Sequence, residues 1–490
     1  MVKAAAKHVL VLVALLYPAA GAKVAFRSYE LRYKPQELLF FDFDGNGFDD
    51  IVVADEPNLV FFFQDTKRGF RMNPTLNCSL AENPAVFWPA KMGNDQAESV
   101  LVMTSDGVSR LRYAGNSEPA AREKIIERPT LIPEQTEELR TVYFTLSART
   151  AGPYPLIIIP TEDNLEIWQY EQGWRCAQLL ETGVQEQIWG PYEGLGYRRQ
   201  LKLNMNIGDL SQDGLDDLVV CQSSRGGTNK FCVYMQTGRG TFCAEPNVCF
   251  EDEWNWRTWI GVSDLNKDSS PDFVKSTWLH EPWFIPGTRS GKVLVQIFLS
   301  DSFGRLPERA QYVFRKHDWI SSLPLVDIDG DGFADITLGY ALMRGREDIR
   351  KSLTAKKLDH NLRFHFFYGN GYSDVPDCRK DVTIDTGQSG IHLTWSRRDY
   401  LQRLVSLDGD FNGDGRRDLL VKDRSNEASV YFFRSREAGF SGKADMRFRK
   451  IKSVERFVIE DLNNDRISDL VVVGSKKDML RVFLSESRKR

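Results

Sequence analysis

The chain has 490 residues, of which 42% are hydrophobic and 27% are charged, and its formal net charge is −4 at pH 7. This slightly acidic balance argues against a nucleic-acid partner. Seven cysteines are too few and too irregularly spaced for a fold built on disulfides. Cys243 and Cys249 are close enough in sequence to pair, and Cys221 could pair with Cys232 across a hairpin.

Residues 1–22 have the features of a secretory signal peptide. Lys3 and Lys7 precede an apolar run from Val9 to Leu16 that ends in small residues. The run is too short to span a membrane, and no later stretch reaches the length of a transmembrane helix. The sequence therefore predicts a secreted protein, extracellular or periplasmic, without membrane insertion and with a mature chain of residues 23–490.

An acidic loop of nine residues recurs six times, and this repetition decides the architecture. Oxygen-bearing side chains stand at positions 1, 3, 5 and 9, mostly with glycine at position 6. Short runs of Val, Leu, Ile and Phe flank each loop and are typical of strands. The copies begin at Asp42, Asp209, Asp264, Asp327, Asp410 and Asp461. Two eroded units, within residues 87–113 and 143–174, fill the long gap between the first and second copies.

The repeating unit is predicted to contain four strands, because a third strand and a Gly-aromatic turn such as Gly439-Phe440 follow most loops. Four-strand units stacked radially form a β-propeller, which hides its sheet edges by closing on itself. The last unit ends after three strands at Leu480–Leu484, whereas Val24–Tyr33 is an orphan strand. We therefore expect one all-β propeller of eight blades, or alternatively seven, whose N-terminal strand completes the last blade. Inserts are expected near residues 118–138 and 340–362.

The spacing of oxygen ligands in the six loops is typical of calcium sites. Side chains at positions 1, 3 and 5 can converge on one hard cation, position 7 can add its carbonyl, and position 9 returns a carboxylate. The candidate ligands are Asp42, Asp44, Asn46, Phe48 and Asp50; Asp209, Ser211, Asp213 and Asp217; Asp264, Asn266, Asp268 and Asp272; Asp327, Asp329, Asp331, Phe333 and Asp335; Asp410, Asn412, Asp414 and Asp418; and Asp461, Asn463, Asp465 and Asp469. The sequence thus predicts up to six calcium ions, which tie strand to strand.

The six loops are not expected to bind equally. The loop that begins at Asp327 offers four carboxylates, and each of the others replaces one of them by an amide or hydroxyl. Ser269 and Arg466 stand at position 6, where a positive φ disfavours residues other than glycine. We therefore expect the strongest binding at the Asp327 loop and the weakest at the Asp461 loop. An EF-hand is excluded because it requires a glutamate at position 12 between two helices, and no loop has one.

The loops and turns together resemble the FG-GAP/VCBS repeat family of integrin-α-like propellers. The closest match is VSLDGDFNGDGRRDLLVKDRSNEASVYFFRSREAGF, from Val405 to Phe440. The resemblance covers nearly the whole mature chain and implies a calcium-binding propeller, usually an extracellular recognition or scaffold module. The Phe-Gly and Gly-Ala-Pro elements of the integrin type are not evident, so a role as an integrin receptor chain is not supported.

Two classes of function remain open. The first is a non-enzymatic binding or scaffold module for a protein or carbohydrate ligand, and the second is an enzyme similar to the rhamnogalacturonan lyases that use calcium-containing propellers. The sequence contains no HExxH, GxSxG or P-loop motif. Candidate ligand-binding residues are Trp254, Trp256, Trp259, Trp278 and Trp283, because exposed tryptophans beside carboxylates suit sugar rings or a protein partner. The alternative for these tryptophans is a place between blades.

Overall fold

The computed structural model describes residues 24–33, 37–55, 58–80, 86–115, 121–132, 142–161, 164–182, 189–190, 200–201, 205–223, 228–238, 240–253, 258–278, 292–301, 303–317, 320–322, 325–341, 359–369, 371–373, 375–385, 404–424, 426–451, 454–474 and 480–486. The expected signal peptide, most of the second expected insert and Trp254, Trp256 and Trp283 lie outside these ranges. No helix in the described part of the chain is long and apolar enough to cross a bilayer.

The described strands form eight blades, each of which contains four antiparallel strands. The first four blades are Glu37–Phe41, Asp50–Asp55, Asn58–Phe62 and Leu76–Ser79 (blade 1); Val86–Ala90, Ser99–Thr104, Gly107–Arg112 and Ala121–Glu127 (blade 2); Ser147–Ala148, Leu156–Pro160, Asn164–Tyr170 and Trp174–Glu181 (blade 3); and Met205–Gly208, Asp217–Ser223, Thr228–Tyr234 and Val248–Glu253 (blade 4). The others are Thr258–Ser263, Asp272–Trp278, Lys292–Phe298 and Tyr312–His317 (blade 5); Ile320–Ser322, Ile336–Ala341, Asp359–Phe367 and Cys378–Asp385 (blade 6); Val405–Gly409, Asp418–Arg424, Glu427–Tyr431 and Met446–Arg449 (blade 7); and Val454–Glu460, Asp469–Gly474, Leu480–Glu486 and Ala25–Leu31 (blade 8).

Short elements decorate the blades. Val142–Tyr143 pairs in parallel with the first strand of blade 2. Small hairpins join Gln64–Asp65 to Gly69–Phe70, Trp189–Gly190 to Gln200–Leu201, Gln236–Thr237 to Thr241–Phe242, and Phe433–Ser435 to Gly439–Phe440. Three of these hairpins contain the Gly-aromatic turns that the sequence predicted.

The N-terminal strand closes the ring, as the sequence predicted. Ala25–Leu31 pairs antiparallel with Leu480–Glu486, in a register that runs from Ala25 opposite Glu486 to Leu31 opposite Leu480. The added strand is the outermost in blade 8 and is mostly solvent-exposed. Both eroded units form complete blades, so the count of eight is confirmed and the alternative of seven is wrong.

The core of the molecule lies between neighbouring blades and runs around the ring. Buried apolar clusters join blades 1 and 2, blades 2 to 4, blades 4 and 5, 5 and 6, 6 and 7, 7 and 8, and 8 and 1. Phenylalanine supplies much of this surface; the Phe43 and Phe61 rings, for example, stack at 4.4 Å. Since each blade is covered on both faces, inner strands such as Ser99–Thr104 and Asp469–Gly474 are buried on both faces.

The first expected insert is in part a regular strand. Ala121–Glu127 is the outer strand of blade 2 and pairs with Gly107–Arg112. The expectation of an insert near residues 118–138 was therefore wrong for residues 121–127, which belong to the repeating unit. Their charged composition concealed the strand, because an outermost strand faces solvent and tolerates charged side chains, which also protect the open edge.

Candidate metal centres

Each acidic loop connects the first strand of its blade to the second. The six loops are residues 42–50, 209–217, 264–272, 327–335, 410–418 and 461–469, and are called below the blade 1, blade 4, blade 5, blade 6, blade 7 and blade 8 loops. Because the blades repeat around one ring with the same strand order, all six loops lie at the same end of the propeller. They are therefore neighbours in space, although up to about 420 residues separate them in sequence.

Backbone hydrogen bonds join the loops of neighbouring blades. In five junctions the amide at position 8, or its equivalent in an eroded loop, donates to a carbonyl in the preceding blade. The bonds are Glu98 to Asp42 at 2.7 Å, Asp49 to Leu462 at 2.9 Å, Asp216 to Arg149 at 3.2 Å, Arg417 to Ile328 at 2.8 Å, and Ser468 to Asp410 at 2.8 Å. The loops therefore tie blade to blade as well as strand to strand.

The aspartate at position 9 braces each blade from inside. All six of these carboxylates are fully buried, and each accepts one hydrogen bond from the amide at position 2 and one from an amide just after the third strand or at its end. The pairs of donors are Phe43 and Gln64 for Asp50, Leu210 and Gln236 for Asp217, Leu265 and Ser300 for Asp272, Ile328 and Gly369 for Asp335, Phe411 and Phe433 for Asp418, and Leu462 and Ser485 for Asp469. Position 9 thus has a structural role in addition to the ligand role that the sequence predicted.

Burial makes these position 9 carboxyls poor acids. Desolvation raises the pKa of Asp50 and of Asp418 to about 8, although backbone N–H donors oppose the shift. The same cause raises the pKa of Asp272, Asp335 and Asp469 to about 7, and the pKa of Asp217 also lies above its usual range. A cation in the loop would reverse this shift, because it stabilises the ionised form.

The aspartate at position 1 of each loop accepts hydrogen bonds from backbone amides later in the same loop. Asp42, for example, accepts hydrogen bonds from the amides of Gly45, Asn46 and Gly47 at 2.8 to 3.0 Å. This turn needs a positive φ at position 6, and Gly47 has a φ of 88°. Ser269 and Arg466 adopt the same conformation, with φ values of 63° and 67°.

The two loops without glycine keep the turn because the hydrogen bond to position 1 is retained. The Ser269 amide donates to Asp264 at 2.9 Å and the Arg466 amide donates to Asp461 at 2.8 Å. The strain expected from the sequence is therefore present, at about 1 kcal/mol for a residue other than glycine, but it does not change the backbone.

Two of the described loops have carboxylates that converge as a hard cation requires, and a third has buried oxygens without a partner. Carboxylate oxygens of Asp42, Asp44 and Asp50 lie within 4.8 Å of one another, as do those of Asp327, Asp329 and Asp335. In the blade 4 loop, Asp209 Oδ1 and Ser211 Oγ are buried and have no hydrogen-bond partner among the described residues. Buried oxygens without a partner are costly unless an ion or water satisfies them. The donor set, all oxygen, suits calcium.

Basic side chains distinguish the loops from one another. Arg436, in the hairpin turn of blade 7, makes ion pairs with Asp329 and Asp331 of the blade 6 loop. Lys267 of blade 5 donates to the Asp331 carbonyl of the same loop. In the blade 7 loop, Arg416 pairs with Asp414 at 2.6 Å. In the blade 4 loop, Arg149 pairs with Asp209 at 3.3 Å and with Asp216 at 3.5 Å. The described residues supply no such contact to the blade 1 loop.

Two of the five tryptophan candidates, Trp259 and Trp278, lie in the described part of the chain, both in blade 5. Trp259 is half-buried, packs against the cluster between blades 5 and 6, and lies over Gly261 on its own strand. Trp278 is the last residue of the second strand of blade 5, opposite Val293. For Trp259 the structure thus favours the alternative of a place between blades.

Comparison with known proteins supplies no family for the chain. No protein-family profile matches it, and no curated protein matches it either. Among solved structures it is similar to a lectin of Agrocybe aegerita, described for its specific recognition of non-reducing terminal N-acetylglucosamine, with 14% identity, 74% of this chain and 82% of that chain covered, and a TM-score of 0.40. A likeness this distant carries no inference about the ligand, and the propeller is defined by its own strand pairing.

Proposed function

We propose that this chain is a secreted calcium-binding propeller of the FG-GAP/VCBS type, which acts as a non-enzymatic binding or scaffold module. The observation that carries the proposal is the ring of acidic loops at one end of the molecule, in which the carboxylates of Asp42, Asp44 and Asp50 converge. Convergent carboxylates repel one another unless a cation neutralises them.

The bound ion would stabilise the fold. Asp42, Asp44 and Asp50 would hold it in the blade 1 loop, and Asp209 and Ser211 would contribute in blade 4. Bound calcium supplies a fixed positive charge. Each loop joins two strands and hydrogen-bonds to a neighbouring blade, so this charge stabilises the ring. The faces of the propeller are then held rigid, which lowers the entropy cost of binding a ligand.

A binding role is favoured over the lyase because the loop acids are already engaged. Each position 9 carboxylate accepts two backbone hydrogen bonds, and Asp42 and Asp410 accept three or more. A general acid or base needs a proton site that faces the substrate. We therefore expect a protein or carbohydrate ligand that is bound without being cleaved.

The test is binding to glycan and protein arrays, in calcium and in chelator, with product analysis of every bound polysaccharide. We expect binding that chelator weakens and no cleavage products. Asp44→Asn should weaken binding, whereas Asp95→Asn, in the eroded loop of blade 2, is the matched control and should not. Cleavage products would contradict a binding module and favour the lyase. A melting temperature that chelator leaves unchanged would contradict the proposed calcium binding.

A further inference from the structure

The blade 6 loop has the largest number of acidic ligands, yet cations of the neighbouring blades already offset part of its charge. The Arg436 guanidinium donates from Nε to Asp329 and from a terminal nitrogen to Asp331, which are positions 3 and 5 of the loop. The Asp329 side chain is only 6% exposed, so this pair is shielded from solvent on the aspartate side. A guanidinium that binds two carboxylates, one of them shielded from solvent, interacts more strongly than a single exposed ion pair.

The arginine is held in place by its own surroundings. Its guanidinium carbon lies 5.5 Å from the centre of the Tyr368 ring, which adds a cation–π contact. On the other side of the loop, the Lys267 ammonium donates to the Asp331 carbonyl and lies 4.3 Å from the centre of the Phe333 ring. Cations from blades 5 and 7 therefore converge on one loop of blade 6.

We infer that Arg436 occupies the cation's place in the blade 6 loop, so that this loop is locked without calcium and binds it more weakly than the blade 1 loop does. The inference rests on the proposed calcium binding of the other loops. A calcium ion at Asp329 and Asp331 would have to break both ion pairs and displace the Arg436 side chain. Blades 6 and 7 would then be joined independently of calcium, whereas blade 1 would depend on it.

The test compares Arg436→Gln with Arg434→Gln by calcium titration calorimetry and by thermal unfolding in chelator. Arg434 stands in the same hairpin but pairs with Asp445, outside the acidic loops, and is the matched control. We expect Arg436→Gln to gain one calcium site, or to tighten one at least about fivefold, and to melt earlier in chelator with recovery in calcium. Arg434→Gln should titrate like the wild type.

The outcomes separate this inference from the proposed function. Identical titrations of Arg436→Gln and wild type, with calcium bound by both, overturn the inference and leave the function standing. Calcium binding by Arg436→Gln but not by the wild type supports the inference and contradicts the proposed calcium binding of the native protein. No binding by either protein overturns both.

A second and independent observation concerns two cysteines of blade 4. Cys232 and Cys249 stand directly opposite each other on the third and fourth strands. Their Sγ atoms are 2.9 Å apart, so a small side-chain rotation brings them to the disulfide bond length of about 2.05 Å. Cys221 lies opposite Phe231 rather than Cys232, and Cys243 Sγ accepts a hydrogen bond from Asn247 at 3.5 Å.

The geometry points to a disulfide between Cys232 and Cys249 in the secreted protein, in place of the pairings Cys243–Cys249 and Cys221–Cys232 considered from the sequence. Each thiol loses a proton, one S–S bond forms, and two electrons pass to the disulfide of a thiol oxidoreductase, which is thereby reduced to two thiols. The bond would staple the two outer strands of blade 4 to each other.

The test uses protein produced through a secretory pathway. The protein is unfolded in the presence of iodoacetamide, which alkylates free thiols, and is then analysed by non-reducing tandem mass spectrometry. We expect a linked peptide whose fragment ions assign Cys232 and Cys249, while the exposed Cys176 is alkylated and serves as the internal control. Alkylation of both Cys232 and Cys249, or a link from either to another cysteine, would overturn the assignment.

Discussion

The blade 1 and blade 6 loops have the same length, the same buried aspartate and the same turn, but their carboxylates have different neighbours. In blade 1, no basic side chain of the described residues pairs with Asp42, Asp44 or Asp50. In blade 6, Arg436 pairs with Asp329 and Asp331. If the inference about Arg436 holds, the number of carboxylates in a loop does not rank its affinity for calcium, because a neighbouring blade supplies positive charge instead.

The largest expected effect concerns the buried aspartate that both loops share. Replacement of Asp50 or Asp335 by Ala leaves two buried backbone amides without an acceptor, so each change should lower the free energy of unfolding by about 3 kcal/mol. Urea denaturation measures it, and Glu123→Ala on the exposed outer strand of blade 2 is the control, expected to be near wild type. A loss below about 1 kcal/mol would show that position 9 is not a brace.

The calcium response should separate the two loops. At a calcium concentration of about one hundred times Kd, one bound ion stabilises the native state by about 2.7 kcal/mol. Asp44→Asn should reduce this contribution, since it removes one charged ligand, whereas Asp329→Asn should leave the response nearly intact because Arg436 already satisfies Asp329. Unfolding midpoints in calcium and in chelator give the comparison, and equal losses in the two variants would contradict it.

The pH dependence follows from the position 9 carboxyls. Without an ion, burial raises the pKa of Asp50 to about 8, against about 3.9 in the unfolded chain. The protonated form is therefore favoured in the native state. Its contribution to stability is complete below about pH 4 and is lost as the pH rises toward 8.

Calcium should prevent that loss, since it binds the ionised carboxylate. The stability gap between calcium and chelator is thus expected to widen from pH 5 to pH 8, by on the order of 1–2 kcal/mol. The pKa of Asp335 is raised only to about 7, so the loss of its contribution to stability is complete at a lower pH than for Asp50. Urea titrations at several pH values measure the gap, and parallel profiles in calcium and chelator would count against calcium at position 9.

The smallest effect compares the turn glycines of the two loops. Gly47 and Gly332 have φ values of 88° and 84°, so alanine at either position should cost about 1 kcal/mol. A Cβ on Gly47 meets no atom within 4 Å, whereas one on Gly332 would lie 2.3 Å from Lys267 Nζ. Gly332→Ala should therefore cost slightly more in chelator, and equal costs would show that the Lys267 contact is dispensable.

Much of the fold could be read from the sequence because it depends on local and repeated features. The acidic loops, their flanking apolar runs and the unpaired N-terminal strand predict eight blades and their closure. The sequence did not predict the strand Ala121–Glu127, because its residues are mostly charged. Only the inner strands of a blade are buried between neighbouring blades and show the apolar pattern that identifies a strand.

The site was predictable in composition but not in charge balance. The spacing from Asp327 to Asp335 predicts a cation site, yet Arg436 lies about one hundred residues further along the chain and reaches the loop only after blades 6 and 7 pack together. Similarly, Cys232 and Cys249 become neighbours through strand register, which sequence separation does not fix. Both features depend on the tertiary structure, which sequence spacing alone does not describe.

The closure of blade 8 has a consequence for the order in which the protein can fold during synthesis. The strand Ala25–Leu31 pairs with Leu480–Glu486, which is synthesised only after all the strands of blades 1 to 7. Blades 1 to 7 can form as the chain emerges, but the ring stays open until Leu480–Glu486 is available. A nascent chain that lacks this segment therefore exposes two unpaired edges, which are protected from pairing with another copy only after closure.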